Sequence, residues 1–190
     1  MSAYQSLEDH FRKIDDLNHV ASVAMWDEAT MMPPGGGDAR GRAMSTLSVV
    51  IHEQVTDPRV GEWVDAARSE HLSDWQRANL REIERTWREQ TCLPAELVAR
   101  RGIVTSRSEQ AWRRHRASNN WQAMQPLLEE VVSVMREEAA CRAGATGRGL
   151  YDAMLDVYEP DMTSAKLDAL FSDLKAFLPD FIENVLERQR

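Results

Sequence analysis

The residue pair most able to do chemistry is His52-Glu53, within His52-Glu53-Gln54-Val55-Thr56. On a helix, histidines four apart share a face, so both imidazoles can reach one metal ion while a glutamate between them activates water. Here Thr56 stands where the second imidazole has to be, and a single imidazole cannot hold a catalytic metal. His52 is instead expected to be partly buried, with a backbone or carboxylate partner. The remaining histidines are His10, His19, His71 and His115, and no two of the five are spaced i, i+4. Cys92 and Cys141 lie far apart and in no motif. They read as two reduced thiols, too few alone for a zinc cage. The sequence therefore offers no catalytic residue, no metal ligand and no identifiable substrate-binding residue, and no cofactor is expected in this chain.

Three further patterns invite chemical readings. Gly35-Gly36-Gly37 is not a phosphate loop, because no Lys-Ser or Lys-Thr follows. It reads as a turn between two helices, one that could lie near a cleft in a larger enzyme. Trp26-Asp27 reads as an aromatic anchor beside a carboxylate that makes a structural hydrogen bond or ion pair. Trp112-Arg113-Arg114-His115-Arg116, with Trp121 close by, is a basic-aromatic cluster of the kind that can grip phosphates and stack bases. Adjacent helical positions point in different directions, however, and the chain as a whole carries a net charge of -8. A solvated face paired with nearby acids accounts for the cluster better than nucleic-acid binding does. No Ser-His-Asp or Cys-His arrangement emerges from spacing.

The elements that must position these residues read as helices. Tyr4, Leu7, Phe11, Ile14, Leu17, Ala21 and Met25 form one apolar stripe at spacings of three and four. That helix should fail at Met31-Met32-Pro33-Pro34, ahead of the glycines. Asp38 is expected to cap the next, whose apolar face is Ala43, Leu47, Val50, Ile51 and Val55. Asp57-Pro58 starts a short third helix with Trp63, Val64 and Ala67 inward. Ser73-Asp74-Trp75-Gln76 is a capping box that opens a fourth, ending near Cys92. Pro94 opens a fifth through Leu97, Val98 and Val104 to Trp112, with Gly102 a weak point and Asn119-Asn120 at its end. Trp121, Met124, Leu127, Leu128, Val131, Val132 and Met135 form the next helical face, with the helix proper starting near Pro126, and residues 144–149 form a loop. Tyr151 to Tyr158 gives one or two turns. Thr163 caps a last helix carrying Leu167, Leu170, Phe171, Leu174, Phe177, Leu178, Phe181 and Val185, with Pro179 inside it. That helix runs into Glu187-Arg188-Gln189-Arg190 without a glycine stop, as in a chain that ends there or one cut from a longer chain.

No period-two alternation of strand length and no fixed repeat is found. The expected fold is all-α, an antiparallel bundle-like array of about seven helices over 1–190 as a single domain. Hydrophobic residues make up 43% and charged residues 28% of the chain, ordinary for a globular protein. No apolar run approaches the ~18 residues that span a bilayer. The opening Met1-Ser2-Ala3-Tyr4 has no apolar signal region. The expected location is cytoplasmic, with neither membrane nor nucleic acid as partner.

Several blocks in order resemble the N-terminal region of the carboxypeptidase Taq family of metallocarboxypeptidases. They are Ala3-Tyr4-Gln5-Ser6-Leu7 with Phe11 and Ile14; Trp26-Asp27, then Thr30-Met31-Met32-Pro33 and the glycines; Arg40, Leu47 and His52-Glu53; Asp57-Pro58; and Tyr151-Asp152-Ala153-Met154-Leu155-Asp156-Val157-Tyr158-Glu159-Pro160 with Met162-Thr163. Asp161 departs from the pattern, since the family usually has glycine there, and it makes the turn less permissive. The resemblance implies a helical, commonly dimeric zinc enzyme with a long groove, removing single residues from peptide C-termini. It also implies that the zinc ligands and the groups binding the substrate carboxylate lie beyond the matched region. Peptides would be substrates only of a full-length enzyme, and zinc its cofactor. This chain alone is expected to be inactive, and its partner to be a second copy or a missing catalytic half. An alternative is a non-enzymatic self-association module derived from the family.

Overall fold

The computed structural model describes residues 2–189, apart from the side chain of residue 34. Among them are eight α-helices and one short 3-10 helix, and no strand. The long helices are α1 (Ala3–Thr30), α2 (Gly37–Val55), α3 (Pro58–Ala67), α4 (Asp74–Thr91), α5 (Ala95–Ala117), α6 (Trp121–Thr146) and α8 (Ser164–Arg188). The 3-10 helix η1 (Pro34–Gly36) precedes α2, and α7 (Leu150–Leu155) is the short helix expected around Tyr151. The chain divides into two compact units, Met1–Cys141 and Arg142–Arg190.

In the first unit, local chemistry starts the helices. Ser2 caps α1 by accepting from the Gln5 N–H. Asp57 accepts from the Arg59 N–H, with Pro58 at the first helical position. Ser73 and Gln76 form the reciprocal capping box at α4. Asp38 is not a cap: η1 begins the turn earlier, Gly36 takes the cap position, and Asp38 falls inside the first turn of α2.

Cross-chain contacts fix the directions. Arg40 meets Asp27 and His10 meets Gln54, so α1 and α2 are antiparallel. Gly37 lies against Gln110, Gly41 against Ser106 and Ser45 against Ala99, so α2 and α5 are antiparallel. Arg100 pairs with Glu137 and Arg107 with Glu130, so α6 runs back along α5. The buried face of α2 overlaps the apolar one expected from its sequence only at Val55. It is Gly41, Ser45, His52 and Val55, while Val50 is exposed. Small residues let α5 approach closely: a Cβ on Gly102 would lie 3.4 Å from the Ser45 Cα. Gly102 thus marks a close approach within an unbroken helix.

Two apolar clusters hold this unit. Tyr4, Leu7, Val60, Val64, Ala67, Leu72, Leu80 and Ile83 join α1, α3 and α4, with Trp63 and Trp87 against them. Leu93, Leu97, Val98, Val104 and Val134 join the start of α5 to α6. The apolar stripe of α1 is buried only in its first half; Met25 and Trp26 are exposed. Helix α6 begins at Trp121 and takes Pro126 into its body, and it runs on to Thr146, so the loop before α7 is shorter than expected.

In the second unit, the turn between α7 and α8 is tied by charge. Arg148 pairs with Asp156 at 2.6 Å and with Asp161 at 3.0 Å. The Asp152 carboxylate accepts from the Ser164 N–H at 2.8 Å and from its hydroxyl. Both Ser164 donors hold the Asp152 carboxyl below its ordinary range. Asp161 sits at φ 64, the left-handed region that favours glycine. Helix α8 has no buried residue, and Leu170, Phe171, Phe177 and Phe181 are all exposed.

Candidate functional site

His52 is buried on α2, but Glu53 is exposed, so the two do not share a site. The Thr56 hydroxyl donates to the His52 carbonyl at 2.8 Å and is spent on its own helix. The partner expected for His52 is absent: its Nδ1 is buried with no hydrogen-bond partner among the described residues. Among the described residues, no three His, Cys, Asp or Glu side chains gather closely enough to hold a metal ion. The donor set of the described residues does not fit a catalytic zinc. Neither cysteine is in a disulfide, and the Cys92 thiol donates to the Glu89 carbonyl at 3.2 Å.

The residues that do converge lie where the end of α1 meets the start of α2 and the outer half of α5. Arg40 reaches back from α2 to the Asp27 carboxylate at 2.5 Å and to the Ala24 carbonyl. Glu28, next to Asp27, accepts from the Ser106 hydroxyl at 3.2 Å and from the Gln110 amide at 3.1 Å. Consecutive carboxylates thus tie α1 to two different helices. Asp27 makes the structural ion pair expected of it, whereas its neighbour Trp26 is 61% exposed and anchors nothing. Beside this junction is a cavity of about 420 Å³, lined by Gly35, Gly37, Asp38, Gly41, Arg42, Ile103, Ser106, Arg107, Gln110 and Arg114. The triple-glycine turn therefore borders a cleft, in keeping with its composition.

The basic-aromatic cluster disperses around α5. Arg113 pairs with Glu109 at 2.6 Å, and Arg116 donates to the Asn119 side chain. Arg114 faces the cavity, and Trp112 and Trp121 are exposed.

Sequence reasoning missed His10. Its Nε2 donates to the Gln54 carbonyl at 2.8 Å, and its ring lies edge-on to Trp63 at 5.6 Å. It also missed Glu28 and the cavity arginines. Their partners are distant in sequence, 82 residues for Glu28 and Gln110, and no local pattern marks them.

The family model described as Carboxypeptidase Taq (M32) metallopeptidase matches residues 6–190. Thermostable carboxypeptidase 1 of Thermus thermophilus is 32% identical over 97% of this chain, and the match spans 38% of that protein. Among solved structures, metallocarboxypeptidase 1 of Trypanosoma cruzi is 38% identical with a TM-score of 0.80, covering 98% of this chain and 38% of that one. A Pyrococcus furiosus carboxypeptidase gives 26% identity and a TM-score of 0.81, over 99% of this chain and 38% of its own. The chain thus spans well under half the length of the relatives it matches.

Proposed function

The chain belongs to the carboxypeptidase Taq (M32) metallopeptidase family, and from that premise we propose that it is the N-terminal helical portion of a zinc-dependent carboxypeptidase. The whole enzyme removes single residues from the C-termini of peptides, and in it these helices wall or cover the substrate groove. One observation carries this reading: nearly all of the chain superposes on only 38% of a solved metallocarboxypeptidase. Zinc, when bound in the whole enzyme, supplies Lewis-acid activation of water. Among the described residues no cluster of three metal-binding side chains is found, and in this reading the portion supplies framework and is inactive alone. Extending the coding sequence past Arg190 tests the proposal. An open frame carrying H-E-x-x-H is expected, and a stop codon directly after Arg190 contradicts it.

The exposed apolar side chains of α8 favour a second reading, a self-associating helical module. Leu170, Phe171, Phe177 and Phe181 recur at helical spacing with nothing over them, and faces of that kind recruit partners. Light scattering at high concentration decides it: a dimer or larger species supports self-association, and a strict monomer removes it.

A further inference from the structure

Most described arginines of this acidic chain have a carboxylate partner. On α4 alone, Arg77, Arg81, Arg85 and Arg88 all pair with acids. Arg42 and Arg114 do not, although they come from different helices and line the same cavity of about 420 Å³. Arg107, on the same wall, is committed to Glu130. Both are exposed, and each guanidinium offers a planar fork of donors that matches a carboxylate or phosphate. The other wall adds to this polarity. It is the first turn of α2, whose N-terminus carries partial positive charge and whose cap residue Gly36 supplies no side-chain acceptor. At Gly35 a Cβ would meet nothing within 4 Å, so the backbone there is open.

We propose that this cavity is a binding site for a small oxyanion, a carboxylate or a phosphate, held between Arg42 and Arg114. Asp38 lines the same space without a hydrogen-bond or ion-pair partner and opposes the incoming anion, whereas the nearby Glu28 carboxylate is held by Ser106 and Gln110 of the cavity wall. The proposal is independent of the peptidase reading, because it uses only side chains of this unit.

The test is an NMR titration of the purified 190-residue chain at constant ionic strength, with inorganic phosphate in one arm and succinate in the other. Saturable shifts of the Gly35, Gly37 and Ile103 amides are expected in at least one arm, and the arm that saturates identifies the anion. Combining Arg42→Ala with Arg114→Ala weakens binding at least about tenfold. Asp38→Asn tightens it by removing the opposing charge, and Arg188→Ala, an unpaired arginine on α8, leaves it unchanged. A circular dichroism melt of each variant confirms folding. Non-saturating shifts in both arms overturn the proposal, as does an Arg188→Ala effect equal to that of the double variant.

Discussion

Gly61 lies inside α3, where alanine should be the better residue by about 1 kcal/mol on helix propensity alone. The structure reverses that sign. A Cβ at position 61 would lie 2.7 Å from the Trp87 Cζ2, 3.0 Å from Cη2 and 3.4 Å from Cε2. Unstrained carbon contacts begin near 3.5 Å, so an aromatic ring packed on the first apolar cluster has to move by close to an ångström. Overpacking of this kind costs about 1–3 kcal/mol. Set against the propensity gain, Gly61→Ala is expected to destabilise the protein by about 1 kcal/mol, lowering Tm by about 2–4 °C. Gly144 in α6 provides the contrast. A Cβ there meets nothing within 4 Å, so Gly144→Ala is expected to stabilise by up to about 1 kcal/mol. The assay is urea unfolding followed by tryptophan fluorescence, repeated for Gly61→Ala in a Trp87→Leu background. Leucine lacks the clashing ring atoms, so the substitution becomes neutral or stabilising there. A Gly61→Ala protein as stable as the parent refutes the reasoning, and so does an unchanged cost in the Trp87→Leu background.

Other outcomes follow from single residues. Leu7 is fully buried, and Leu7→Ala costs about 2–5 kcal/mol in denaturant unfolding. The Arg59 side chain, and then its backbone N–H, hold the Asp57 carboxyl down at about 2. Because the folded value lies below the unfolded one of about 3.9, the stabilisation is present above pH ~4 and is lost as pH falls through ~2. Asp57→Ala therefore costs about 1 kcal/mol at neutral pH, and melts at stepped pH should show the gap from the parent closing toward pH 2. At Asp161, with φ 64, Asp161→Ala adds left-handed strain and removes the exposed pair with Arg148. Asp161→Gly removes that pair but relieves the backbone. Thermal melts should place the glycine variant above the alanine one by about 1 kcal/mol or more.

What the sequence made legible was local. The capping box of Ser73 and Gln76, the Asp57-Pro58 start and the Thr163 cap each involve residues two or three apart, and all form. The cost of the turn at Asp161 was legible only through the family resemblance, in which glycine is usual at that position. Asp38 misled because the Pro-Gly stretch before it already turns in 3-10 form and moves the helix start upstream. The buried face of α2 was hidden for a different reason. Periodicity finds apolar stripes, whereas α2 buries glycine, serine and histidine because it is clasped between α1 and α5. Periodicity also cannot say whether a stripe has a partner. The outer half of α1 and all of α8 carry one, and there Met25, Leu170, Phe171, Phe177 and Phe181 stay exposed. The cavity was beyond reach for the same reason: Arg42 and Arg114 are 72 positions apart in sequence, and only the antiparallel packing of α2 on α5 brings them to one surface.

The proposed role of these helices is framework with no zinc centre of its own. Equilibrium dialysis of the purified chain against zinc, read by elemental analysis and paired with an assay for free amino acids released from an unblocked peptide, tests this most directly. No stoichiometric zinc and no release above the chelator-treated control are expected. One tightly held zinc per chain, accompanied by zinc-dependent release of C-terminal residues, would contradict that role.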